Sequence, residues 1–397
     1  MTPRPHQTEG AEWALQTLRE YGLAYLSWEE RTGKTLTALE AVERSNMMKC
    51  LIVTKKRAID GWMETLEQWP HKTQFVVVNY ESVHKLKNTD FDIAILDEAH
   101  HAISSIGLPS KTWKKLFKYV KDLPILYLSA TPYAEHVGLL FNQFKLSTWS
   151  PWNKYKSFNA WYAFYGIPNM IRTPYGLVDQ KNMYHTEMVL KDCDHLFNFK
   201  TRADVGIEHE PTTNVIVVPL SSQTVKYIET WETTQVLVFG EYELLGDSDM
   251  KQRMVHYQLE GGTLKLDDET SIFLESKEKV DYIKENYDCS KVAIMAHFVK
   301  ERELLSKEIP EALILSSDGH AEGVDLHKTD KLIVYSMSFK TSKHTQRLAR
   351  QANHNRDTPI EVDIIVGENP AIGQNVYDSV AVKKENFVKS SYERAIR

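Results

Sequence analysis

The chain has 397 residues, 42% of them hydrophobic and 26% charged, a composition expected of a soluble globular protein large enough for two domains. No apolar run approaches the roughly 18 residues that span a bilayer, and Met1 to His6 lacks the apolar stretch of a secretory signal, so a cytoplasmic protein without membrane contact is expected. A formal net charge of -6 excludes a protein that coats nucleic acid by bulk charge, leaving only local contact through a basic groove.

Taken in chain order, the apolar run Leu23 to Leu26 leads into Thr32-Gly33-Lys34-Thr35, and an amphipathic stretch from Leu36 to Val42 follows. That is a strand, a tight loop and a helix start, the arrangement in which free N–H groups and the positive helix end converge on phosphate. Lys34 is expected against the β and γ phosphates of ATP, with the Thr35 hydroxyl completing a Mg²⁺ shell. The loop departs from Gly-x-x-x-x-Gly-Lys-Thr at its first position, where Trp28 stands. Arg31 occupies a place where related loops use glycine, and a positive φ there would cost about 1 kcal/mol or more. Cys50, Cys193 and Cys289 are too scattered for a zinc cluster or a disulfide framework and read as buried thiols.

Cys50 to Thr54, Phe75 to Asn79, Ile93 to Leu96 and Ile125 to Ser129 read as strands separated by helices, the pattern of a parallel sheet covered on both faces. The third strand ends in Asp97-Glu98, which places Asp97 at the Mg²⁺ shell and lets Glu98 orient or deprotonate an attacking water. The basic run Lys111 to Lys121 reads as a solvated helix face, with a second nucleic-acid surface as the alternative. Residues 149 to 165 carry eight aromatic rings, which read as core or interdomain packing, with base stacking as the alternative. Gly261 to Glu278 reads as a loop or small insertion. Val292 to Ala296, Ala312 to Ser316, Leu332 to Tyr335 and Val362 to Val366 then repeat the strand pattern.

Asp97-Glu98-Ala99-His100 resembles the DEAH form of the second motif of helicase superfamily 2, and Ser129-Ala130-Thr131 resembles the third. Lys291 to His297 is similar to the fourth motif, Glu322 to Leu326 to the fifth, and Gln346 to Arg350 to the start of the sixth, with Asn353 where a second arginine is usual. Trp28-Glu29, Gly61-Trp62 to Trp69, and Thr201 to Val205 resemble the Swi/Snf-type branch, especially compact phage and bacterial forms. The resemblance implies two RecA-like α/β domains with parallel sheets: a lobe at 1–145, a helical aromatic-rich insertion at 146–205 and a second lobe at 206–397. It implies an ATP and Mg²⁺ site built from Gln7, Arg31, Thr32, Gly33, Lys34, Thr35, Asp97, Gly323 and Asp325, with Gln7 reading adenine. Catalysis is assigned to Lys34, Glu98, Gln346 and Arg350, and nucleic-acid contact to Lys55, Lys56, Arg57 and Tyr80. The implied activity is a DNA-stimulated ATPase, acting as a monomer on duplex or branched DNA beside replication, recombination or repair proteins. Alternatives are a strand-separating DNA or RNA helicase and, given Asn353, an ATP-gated binding module with little turnover.

Overall fold

The structure is a computed structural model that describes residues 2–87, 90–133, 136–173, 176–206, 212–266, 270–317, 329–337 and 361–378. Two compact units divide the chain, at Met1–Glu208 and His209–Phe387. No helix among the described residues is long and apolar enough to cross a membrane.

The first unit runs α1 (Pro5–Tyr21), β1 (Leu23–Trp28), α2 (Lys34–Ser45), β2 (Lys49–Thr54), α3 (Ile59–Gln68), β3 (Gln74–Asn79), β4 (Ile93–Asp97), α4 (His100–Ile103), α5 (Lys111–Val120), β5 (Ile125–Leu128) and α6 (Leu139–Phe144). It continues through α7 (Phe158–Tyr165), β6 (Gly166–Ile167), β7 (Met170–Thr173), β8 (Gly176–Asp179), β9 (Met183–Tyr184), α8 (Thr186–Lys191) and β10 (Phe197–Lys200). Six strands form one parallel sheet in the order β10-β1-β5-β4-β2-β3. β1 is buried at every position and β5 likewise, because a parallel sheet has helices on both faces and no side open to water. Gly10 lets α1 settle on β1: a Cβ there would lie 2.4 Å from the Trp28 ring.

The segment 146–205 differs from the helical insertion expected. It holds α7 and α8 together with two antiparallel strand pairs, β6 with β9 and β7 with β8. Its last strand, β10, belongs to the first sheet, in register with β1 from Tyr25↔Phe197 to Trp28↔Lys200. Aromatic contact fixes that pairing: Phe197 stacks on Tyr25 at 4.9 Å, and Trp28 Nε1 donates to Asn198 Oδ1 at 2.6 Å. The aromatic run packs as a core, with Trp152, Phe158, Trp161 and Tyr165 buried around Phe141. Trp149 and Phe164 remain exposed.

The second unit runs β11 (Thr212–Val218), α9 (Ser222–Thr234), β12 (Val236–Phe239), β13 (Tyr242–Leu245), α10 (Asp249–Glu260), β14 (Thr263–Lys265), β15 (Ser271–Phe273) and α11 (Glu278–Asn286). β16 (Val292–Ala296), α12 (Val299–Glu308), β17 (Leu313–Ser316), β18 (Lys331–Val334), β19 (Glu361–Gly367) and a short helix at Gly373–Tyr377 follow. Its sheet is also parallel, β11-β19-β18-β16-β17, so the molecule is an α/β protein with two RecA-like parallel sheets. The polar stretch Gly261 to Glu278 contains the antiparallel pair β14–β15, held because Leu264, Leu266 and Leu274 bury themselves in a satellite core with Trp231.

Candidate nucleotide site

The loop between β1 and α2 turns through left-handed backbone twice, at Arg31 with φ 66° and at Gly33 with φ 92°. Gly33 is required for a second reason, since a Cβ there would lie 2.1 Å from Gln7 Nε2. The loop is tied internally by Thr32 Oγ1, which donates to Glu29 O at 2.7 Å. The start of α1 braces it from outside: His6 Nε2 donates to Thr32 O at 2.9 Å and Gln7 Nε2 to Gly33 O at 3.2 Å. Gln7, expected to read adenine, is buried, and its Oε1 accepts from Arg4 N at 2.8 Å. Lys34 curls into the loop and donates to Trp28 O at 2.6 Å and Glu29 O at 2.9 Å. Thr35 follows in the first turn of α2, half-buried.

Three features of this loop were not visible in the sequence reading. Glu29 accepts from Arg202 N at 2.7 Å, pairs with Arg202 Nε at 3.7 Å and donates its own N–H to Lys200 O, so the segment after β10 anchors the loop. Burial pushes the Glu30 carboxyl up, against the pull of Lys34, and its Oε1 has no hydrogen-bond partner among the described residues. The third is the set of donors on Asp97.

Asp97 closes β4 with its Oδ2 accepting from Thr54 Oγ1 at 2.7 Å and from Trp62 Nε1 at 3.0 Å. Burial raises the Asp97 carboxyl above its ordinary value, the Glu98 charge adds to this, and the Trp62 and Thr54 donors and the Lys34 charge oppose it. The Lys34 contribution places the ammonium and the carboxylate in one electrostatic neighbourhood. Glu98 adopts left-handed backbone with φ 51°. Its Oε2 accepts from Ser129 Oγ at 3.0 Å and lies 3.4 Å from His100 Nδ1. Ser129 Oγ is also 3.0 Å from His100 Nδ1 and accepts from Thr131 N at 3.0 Å, so the strand ends of β4 and β5 meet at one hydroxyl. Burial, then the Lys55 charge, depress the His100 imidazole to about 3, which favours its neutral form.

These donors and acceptors suit a Mg²⁺-bound triphosphate: a lysine and helix N-terminus for the anion, and a hydroxyl and a carboxylate for the cation. Lys55 is half-buried, whereas Lys56 and Arg57 are exposed after β2. Tyr80 corrects the sequence reading. It is 2% exposed and spends its hydroxyl on Asp97 O at 2.9 Å, so it supports the acidic strand end and is out of reach of nucleic acid. Gly323, Asp325, Gln346, Arg350 and Asn353 lie outside the described residues.

Residues 64–134 match the family model described as type III restriction enzyme, res subunit. No curated protein matches the chain. Among solved structures it is similar to the Sulfolobus solfataricus SWI2/SNF2 ATPase core in complex with dsDNA, at 14% identity and a TM-score of 0.42, covering 99% of this chain and 93% of that one. The matched span contains both the Asp97-Glu98-Ala99-His100 strand end and Ser129-Ala130-Thr131, joined here through the Ser129 hydroxyl.

Proposed function

We propose that this chain is an ATP-driven DNA motor of the Swi/Snf type, whose phosphate release is stimulated by duplex or branched DNA along which it translocates. One observation carries the reading: Lys34, Ser129 and the Asp97-Glu98 pair lie at or just after the carboxyl ends of the adjacent strands β1, β5 and β4. An open α/β sheet binds its ligand at that edge.

Mg²⁺, when bound with ATP, would offset the negative charge that develops on the phosphates. The N-terminal amides of α2 and the Lys34 ammonium bind the phosphates, and Lys34 exchanges the Trp28 and Glu29 carbonyls for them. Thr35 and Asp97 would hold the cation. Glu98 orients the attacking water and takes its proton, with the Ser129 hydroxyl fixing the carboxylate's direction. Arg350 is assigned the transition-state charge, and Lys56 and Arg57 the DNA backbone.

Phosphate release measured with linear duplex, forked DNA, single strands and structured RNA tests the reading. Stimulation of at least tenfold by duplex or forked DNA is expected, with kcat reduced more than about 100-fold in Lys34→Ala and Glu98→Gln. The reading fails if DNA gives no increase and both variants match wild type. Triplex displacement without strand separation separates translocation from unwinding.

A further inference from the structure

We infer that α5 and the turn at residues 84–87 form a second DNA surface, which holds an additional duplex arm by its phosphates; the inference rests on the motor reading above. The two segments are His84-Lys85-Leu86-Lys87 and Lys111 to Lys121, seven lysines without one carboxylate in a chain of net charge -6. They are one surface in space. Lys115 Nζ lies 3.4 Å from His84 Nδ1, and Tyr119 OH donates to Leu86 O at 3.3 Å. All seven lysines are exposed. Among the described residues, the one carboxylate within ion-pairing distance of any of them is Asp122, 3.6 Å from Lys121.

The charge placement works against the helix that carries it. Lys111 and Lys114 stand in the first turn, which has no acidic residue and where the helix end is itself positive. Lys111 and Lys115, and Lys114 and Lys118, are four apart and repel along one helix side. A helix that served only to face water gains stability from acidic partners at those spacings, and α5 has none. An external polyanion relieves the repulsion.

Location and chemistry choose the occupant. β2 and β3 pair in parallel up to Thr54↔Asn79, so Lys56 and Arg57 after β2 and the turn after β3 leave the sheet at the same end. The lysine surface therefore adjoins the segment assigned to the first DNA contact. Single strands are held by exposed rings on which bases stack. Here Trp113 and Phe117 stack on each other at 4.7 Å, both half-buried, and Trp113 Nε1 is committed to Asn142 O at 2.7 Å. A surface of bare ammonium groups, whose Trp113, Phe117 and Tyr119 rings are half-buried, fits the closed backbone of a duplex.

The test compares binding of wild type and the triple variant Lys114→Gln, Lys115→Gln, Lys118→Gln to a three-arm junction, a linear duplex and a single strand, by fluorescence anisotropy across a salt series. The variant is expected to lose about tenfold in junction affinity relative to linear duplex, and its slope of log affinity against log salt on the junction should fall by about three, near 0.9 for each lost phosphate contact. Arginine at the same three positions should restore both values. Melting temperature and phosphate release without DNA check that the variant is folded. An unchanged junction-to-linear ratio with an unchanged salt slope overturns the second surface, and DNA-stimulated phosphate release in the same preparations then leaves the motor reading standing. Lysine-dependent junction binding without any DNA-stimulated phosphate release does the reverse. A loss confined to single-stranded DNA also overturns the duplex assignment.

Discussion

Arg31 and Glu98 both hold left-handed backbone, at φ 66° and 51°, and both sit where the nucleotide is proposed to bind. The other described non-glycine residues with positive φ, Asn46, Lys181 and Gln235, lie elsewhere, Asn46 and Gln235 as helix C-caps. Strain at the two site positions is retained because the surrounding bonds over-determine it: Glu29 and Thr32 are pinned on either side of Arg31, and Ser129 fixes Glu98. Substitution at Arg31 measures the strain directly. Arg31→Ala keeps a Cβ in the unfavourable region and Arg31→Gly removes it, so the glycine variant should be the more stable of the two by about 1 kcal/mol in urea unfolding. Equal midpoints, or a more stable alanine variant, would show that the loop relaxes to ordinary backbone.

At the scale of elements, the site depends on how strand ends are brought together, and Ser129 is the joint between two of them. Removing its hydroxyl takes a donor from Glu98 Oε2 and an acceptor from Thr131 N without touching the Lys34 loop. Ser129→Ala is therefore expected to lower kcat about tenfold or more while ATP affinity stays within about twofold, read by single-turnover phosphate release beside equilibrium binding. Unchanged kcat would remove Ser129 from the machinery. The strands themselves could be read from sequence because each is a short apolar run buried on both faces, ending abruptly in polar residues at Asp97 and Ser129. The partners of those residues could not. Thr54 and Trp62 reach Asp97 across 43 and 35 residues because β2 lies beside β4, and spacing along the chain does not encode strand order. Tyr80 was misplaced for the same reason: a tyrosine after a strand has the chemistry of a surface contact until the sheet folds it beneath Asp97. β10, four residues after a mixed insertion, gave too short a period to announce that it completes the first sheet.

The molecule as a whole is built from two separately cored units, and the second carries a buried ionic network with a consequence for its stability. Lys279 is 1% exposed, lies 3.4 Å from Glu260 and donates to Tyr335 O, and Glu260 Oε2 accepts from Gly373 N at 2.8 Å. Glu301, wholly buried on α12, accepts from Ser336 Oγ and from Phe298 N, while its Oε1 faces Gly261 without a partner among the described residues. One buried cation thus serves two buried carboxylates. Burial pushes the Glu301 carboxyl up to about 7, the Lys279 charge opposes this, and the Glu260 charge adds to it. The folded unit consequently holds a proton that the unfolded chain releases near its ordinary value of 4.5. With more protons bound in the folded state, stability must fall as pH rises from about 4.5 to about 7 and level off above it. The fully developed penalty is of the order of 3 kcal/mol, since each pKa unit corresponds to about 1.4. Glu301→Gln keeps an acceptor for Ser336 and Phe298 but carries no proton to lose, so calorimetry at pH 5.5 and pH 8 should find a smaller pH-dependent loss in the variant than in wild type. If the two proteins lose stability equally across that interval, the proton resides elsewhere in the network.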